Sequence, residues 1–211
     1  MKKHSFLQLV LTLVYVLALV ICNIITAKQV QLFNIVTTGG FFIFPIVYIL
    51  SDVFSEVYGY RWSRITCYMA FLANLIAVII FTLVIHTPAP SYYENGEAFS
   101  IVLGNAPRVL ISSFLAFIFG DLVNDKIFAK MKLNHKEDHK GFGVRAILSS
   151  LFGEMTDSII FYPLCFFGTL PFNTLLIMIC TEVIIKTSYE IIVLPLTRVI
   201  MNKVSQYEEQ A

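Results

Sequence analysis

RITCYMAFLANLIAVIIFTLVIH, residues 64–86, contains no acidic side chain and no Lys or Arg after Arg64. An α-helix rises about 1.5 Å per residue, so this stretch would be about 35 Å long, enough to cross a hydrocarbon core of roughly 30 Å. Similar apolar runs lie near 6–27, 41–60, 106–128, 143–167 and 172–200. The expected fold is therefore all-α and integral to the membrane, with six transmembrane helices forming one compact bundle and a single transporter-sized domain over 1–211. The run at 41–60 is interrupted by Pro45 and diluted by Asp52 and Glu56, and the last contains Glu182, Lys186 and Glu190. Prolines are tolerated in such helices when neighbours satisfy the freed carbonyl.

Composition supports lipid as the solvent. Hydrophobic residues make up 57% and charged residues 14% of 211, with a mean hydropathy of +0.77. That is too apolar for a water-facing globule of this size, and six spans leave no length for a soluble domain. The net charge of +1 offers no basic surface for nucleic acid. Cys22, Cys67, Cys165 and Cys180 all sit in apolar stretches and read as packing residues rather than a disulfide framework or a CxxC metal site. His135 and His139, four apart in NHKEDHKG, have metal-pair spacing but read as part of a solvated turn, so no metal or cofactor is expected. Lys2 and Lys3 precede an apolar run without a small-residue cleavage site, which reads as a retained first helix.

Basic residues set the orientation. Lys2, Lys3, Arg61, Arg64, Lys126, Lys130, Lys132, Lys136, Lys140, Arg145, Arg198 and Lys203 fall on one side of the expected helices, while only Lys28 and Arg108 fall on the other. The positive-inside rule then places both termini in the cytoplasm of a cell whose cytoplasmic (inner) membrane holds the chain. The outer loop 87–105, with Tyr92, Tyr93 and Phe99, reads either as an aromatic belt at headgroup level or as an interfacial helix or lid.

An ionised side chain near the bilayer centre costs at least roughly 2.5–3.5 kcal/mol, so it normally faces the interior and has a partner or a function. Asp52, Glu154 and Glu182 fall at similar depth on three helices. Lys186 lies four residues from both Glu182 and Glu190, Glu154 and Asp157 share a face with Ser150, Asp52 and Glu56 are four apart, and Asp121 and Asp125 repeat that spacing. Asn23 and Thr26 add polarity near the outer end of the first helix. Pairing as interhelical glue is one reading, with Arg108, Asp157 and Asp125 suited equally to glue or function. Lys186 is the one deep base, however, so the acids exceed their countercharges. The surplus is left for protonation, for solvation in a cavity or for a substrate. An echo of Arg108-x3-Ser112-Ser113-x2-Ala116 in Arg145-x3-Ser149-Ser150-x2-Gly153, on helices running in opposite directions, has the inverted form that carriers build around a midplane site.

SDVFSEVYGYRWSR (51–64), PRVLISSFLAFIFGDLVNDKIF (107–128), RAILSSLFGEMTDSIIF (145–161) and EVIIK (182–186) resemble the vitamin-uptake-transporter family of queuosine-precursor transporters, over about Asn23 to Pro195. The resemblance implies a six-helix inner-membrane importer of 7-deazaguanine bases such as preQ0, preQ1 or queuine, salvaged for queuosine in tRNA. It carries the family's polar pattern onto Asn23, Asp52, Gly59, Arg108, Ser113, Gly120, Asp125, Ser150, Asp157, Glu182 and Lys186. Glu56, Asp121 and Glu154 depart from that pattern and are candidates for tuning base preference. A guanine-type edge presents two adjacent donors that a carboxylate accepts and an O6 that wants a donor, which Glu182 with Lys186, or Asp157 with Asn23, would satisfy.

The expected function is secondary or facilitated import of such a base. The expected substrate contacts are Asn23, Asp52, Glu154, Asp157, Glu182 and Lys186, and the structural or gating positions are Arg108, Ser113, Asp121, Asp125 and Ser150. Partners are the small nucleobase-like substrate and the bilayer, and self-association into a homo-oligomer stays open. No GxxxxGK[ST] loop for ATP is present. The alternative is the substrate-binding subunit of an energy-coupling-factor vitamin importer, but the first helix lacks the AxxxA pattern by which such subunits dock. An intramembrane enzyme is not expected, since GxGD, GxSxG and HExxH are all missing.

Overall fold

A computed structural model describes residues 5–32, 35–134 and 142–210, without the side chains of a few helical positions that include Asp125 and Glu190. His135 and His139 lie outside the described residues. The elements are α1 (Phe6–Ile25), β1 (Gln29–Leu32), β2 (Ile35–Thr38), a 3-10 turn (Gly39–Phe42), α2 (Phe44–Val53), a π turn (Phe54–Tyr58), α3 (Tyr60–His86), α4 (Gly96–Leu103), α5 (Ala106–Asn134), α6 (Phe142–Phe166) and α7 (Phe172–Gln210).

Burial in these helices is inside out relative to a water-soluble protein. On α1 the buried positions are Gln8, Thr12, Tyr15, Ala18, Cys22 and Asn23, recurring at three- and four-residue steps. Phe6, Leu9, Leu13, Leu17 and Ile21 on the opposite faces are exposed. The same inversion holds on α3, where Thr66, Cys67, Ala70 and Asn74 are buried and Ile65, Leu72, Ile76, Ile79 and Leu83 are exposed. Water would reverse this arrangement, whereas lipid leaves large apolar side chains outside and directs small and polar ones to helix contacts. Among the described residues, Phe6–Ile25, Tyr60–His86 and Gly96–Asn124 are long and apolar enough to cross a membrane. Helices α6 and α7 have the length and carry Glu154, Asp157, Glu182 and Lys186 within it.

The chain forms two compact units, one of Met1–Val30, Thr38–Leu110 and Ile192–Ala211, the other of Gln31–Thr37 and Ile111–Ile191. In the first, α1 packs on α2 and α3 around Tyr15, Ala18, Val47, Leu50, Phe54 and Ala70. Tyr15 meets Phe54 edge to face at 5.7 Å. Glu208 near the end of α7 accepts hydrogen bonds from Tyr58 of the π turn at 2.7 Å and from Ser5, the N-cap of α1.

Two segments differ from the sequence expectation. The run expected as one helix over 41–60 is a 3-10 turn, a ten-residue helix and a π turn. Pro45 sits in the first turn of α2, where a missing N–H costs nothing, so it starts the helix rather than interrupting it. Gly59 ends the π turn at φ +87° and ψ 156°, a region essentially confined to glycine, and this reverses the chain into α3. The second difference is a two-stranded sheet, β1–β2, inside an otherwise helical chain. Its QVQL and IVTT strands are rich in β-branched residues, which favour extended backbone. In the segment 87–105, α4 forms with no buried residue, and Tyr92 is 84% exposed.

In the second unit, α5 and α6 approach closely at a glycine pair. A Cβ on Gly120 would lie 2.9 Å from the Gly153 carbonyl oxygen and 3.1 Å from Asp157 Cβ; one on Gly153 would lie 3.0 Å from the Gly120 oxygen and from Asn124 Cβ. Only glycine permits this spacing. Within the sequence echo, the serines and the closing small residues match in burial, while the side chain of Arg145 lies outside the described residues. Ser112 and Ser149 are both buried, as are Ala116 and Gly153.

Candidate functional site: the buried charges of α6 and α7

In the second unit, α6 and the first half of α7 are joined by a short turn containing Gly168 at φ +82°. Side chains one turn apart on one helix thereby meet side chains one turn apart on the other. Lys186 Nζ donates to Asp157 Oδ2 at 3.0 Å, with the lysine side chain 7% and the aspartate 29% exposed. Nearer the turn, Tyr162 OH donates to Glu182 Oε2 at 3.0 Å. A third element reaches the same oxygen: Thr37 Oγ1 of β2 donates to it at 3.1 Å.

These contacts place a base and two acids in a buried layer. Glu182 and Lys186 share a face of α7 and are both buried. Lys186 reaches across to Asp157 on α6 while Glu182 accepts from two neutral hydroxyls; the side chain of Glu190 lies outside the described residues. Each carboxylate engages one oxygen: among the described residues, Asp157 Oδ1 and Glu182 Oε1 accept no hydrogen bond. Ser158 Oγ and Thr187 Oγ1, each next in sequence to a member of the ion pair, are buried hydroxyls without a hydrogen-bond partner among the described residues. Leaving a buried polar group unsatisfied costs about 1–3 kcal/mol, so the layer is richer in polar groups than its own packing requires. Chemically it offers carboxylate acceptors, an ammonium donor and hydroxyls of either role to a polar molecule.

The remaining sequence candidates are distributed as follows. Glu154 lies one turn before Ser158 on α6, and Asp121, Ser113 and Ser150 are partly buried in the same unit. Within the serine pairs, Ser112 and Ser149 are the more deeply buried members. Asn23, Asp52 and Arg108 belong to the first unit. There Asn23 is buried with Nδ2 unpartnered among the described residues, while Asp52 is exposed. The side chain of Asp125 lies outside the described residues. Sequence reasoning missed Thr37, Ser158 and Tyr162. Tyr162 and Ser158 stand four apart on the buried face of α6, a spacing that could have shown them, but the Thr37 contact spans 145 positions and leaves no local trace.

The chain is 25% identical over 178 residues to "Probable queuosine precursor transporter" of Bacillus subtilis (strain 168), covering 84% of this chain and 77% of that protein. It is 19% identical over 156 residues to "Queuosine precursor transporter" of Escherichia coli (strain K12), covering 74% and 67% respectively. A match to "Probable queuosine precursor transporter" of Haemophilus influenzae is 22% identical over 135 residues, and spans about half of that protein. No solved structure gives a significant match. The family model described as "Putative vitamin uptake transporter" matches residues 38–200, a span containing α2 through most of α7. The chain belongs to the vitamin uptake transporter family.

Proposed function

We propose that this chain imports a queuosine precursor, a 7-deazaguanine base such as preQ0, preQ1 or queuine, across the cytoplasmic membrane by secondary or facilitated transport. The observation that carries the reading is the buried layer of α6 and α7, where the Asp157–Lys186 pair and Glu182 stand inside helices whose apolar faces point outward. Charges in that setting need a task to offset their cost. A flat base with adjacent N1 and exocyclic amino donors and an O6 acceptor complements carboxylate oxygens beside an ammonium. The names borne by the relatives support the same class of substrate.

In this reading Asp157, Glu182 and Lys186 contact the base, with Glu154 adjoining them. Asn23 and Asp52 are proposed contacts on the strength of the family resemblance. Arg108, Ser113, Asp121, Asp125 and Ser150 support or gate the helices. Six crossings with both termini in the cytoplasm give the polar helices their midplane position, and the base is released inward as the bundle changes its access. The test is uptake of preQ0, preQ1, queuine and queuosine in cells unable to make the precursor, with and without a protonophore. Wild type restores accumulation of at least one base, and Glu182→Gln and Asp157→Asn reduce it. Undiminished uptake by both variants would remove the site assignment.

A further inference from the structure

Glu182 is held by two residues that carry no charge. Thr37 and Tyr162 are 1% and 2% exposed, and both donate to Oε2. They come from unrelated elements, a β strand and a helix, so the carboxylate is fixed from two directions. A glutamate side chain has three rotatable torsions, and a single donor would leave the carboxylate free to swing about it. Two donors on one oxygen restrict that freedom and leave Oε1 engaged by neither of them. The Tyr162 ring is itself held, stacked on Phe166 with centroids 5.9 Å apart.

We propose that Thr37 and Tyr162 are positioning residues that aim Glu182 Oε1 at the exocyclic amino donor of the base, and so set selectivity for 2-amino purine-like ligands. The inference rests on the transport function proposed above. An acceptor fixed in advance discriminates strongly, because a ligand lacking the donor leaves the oxygen unmatched in the complex, whereas a mobile acceptor can turn to another partner. The hairpin β1–β2 thereby acquires a role in selectivity through a single side chain.

The experiment is equilibrium binding of a radiolabelled 7-deazaguanine base and of its 2-desamino counterpart to the purified full chain in lipid vesicles. Wild type is expected to favour the amino form by roughly tenfold to a hundredfold, the range of a hydrogen bond to a charged group. Thr37→Val and Tyr162→Phe each shrink that preference, and Thr37→Ser restores it. In a Glu182→Gln background, Thr37→Val has no further effect on the ratio. Tyr162→Phe keeps the stacked ring, so it reads the hydroxyl even if Thr37→Val fails to fold. An unchanged ratio in Tyr162→Phe and Thr37→Val, with binding intact, overturns the inference and leaves the transport reading standing. A wild-type protein that binds neither base overturns both.

Discussion

Gly120→Ala is expected to damage transport more than stability. The added Cβ would sit 2.9 Å from the Gly153 carbonyl oxygen and 3.1 Å from Asp157 Cβ. Carbon atoms pack best at about 3.5–4.0 Å, so α6 must retreat from α5 by roughly half an ångström or tilt. Overpacking of this kind costs about 1–3 kcal/mol. The group pushed is Asp157, whose carboxylate lies 3.0 Å from Lys186, and about half an ångström added along that contact would take it past the usual range of roughly 2.7–3.2 Å. Uptake should therefore fall by roughly tenfold or more, the value of a charge-assisted hydrogen bond, while the protein still unfolds cooperatively at a lowered Tm. Gly153→Ala enters the same crossing and should act alike, and the double variant should depart from additivity. Gly96→Ala, whose nearest neighbour would be at 3.7 Å, is the control. Thermal unfolding in detergent and initial uptake rates are the assays. Wild-type behaviour of Gly120→Ala in both would refute the claim that this crossing positions Asp157.

Three further outcomes are expected. Asp157→Asn and Lys186→Met should each cut uptake by roughly tenfold or more, whereas Ile184→Ala, on an exposed position of the same helix, should leave it near wild type; equal loss in all three would point to general damage. Gly59→Ala forces a Cβ into the φ +87° conformation and should destabilise the protein by about 1–3 kcal/mol, visible as a lower Tm. The proposed orientation, with both termini cytoplasmic, predicts that a cysteine at Tyr92 reacts with an impermeant maleimide on intact cells and one at Lys203 only after permeabilisation, and the reverse pattern would overturn it.

The sequence made the long helices legible because apolar runs of twenty or more residues have one common solution in lipid. The ends of α1, α3 and α6 fall within a few residues of the expected positions. It did not reveal the hairpin, since QVQLFNIVTT is short and lies between two stronger membrane signals. Nor did it reveal the π turn, whose register is decided by tertiary packing around Phe54 rather than by composition. At the candidate site, Asp157, Glu182 and Lys186 stood out because ionisable residues are conspicuous in an apolar run. Thr37 and Tyr162 did not, because threonine and tyrosine are ordinary membrane residues until something charged is found beside them. That Ser112 and Ser149 are more deeply buried than their neighbours Ser113 and Ser150 was not legible either, because spacing does not fix which of two adjacent helical residues faces inward.

The central claim is that this chain by itself moves a queuosine precursor across a bilayer. The most direct test is uptake of a labelled 7-deazaguanine base into liposomes containing only the purified protein, without ATP. Saturable uptake, competed by unlabelled base and lost with Asp157→Asn, is the predicted result. Uptake that requires an added ATPase module, or none above protein-free liposomes, would contradict it.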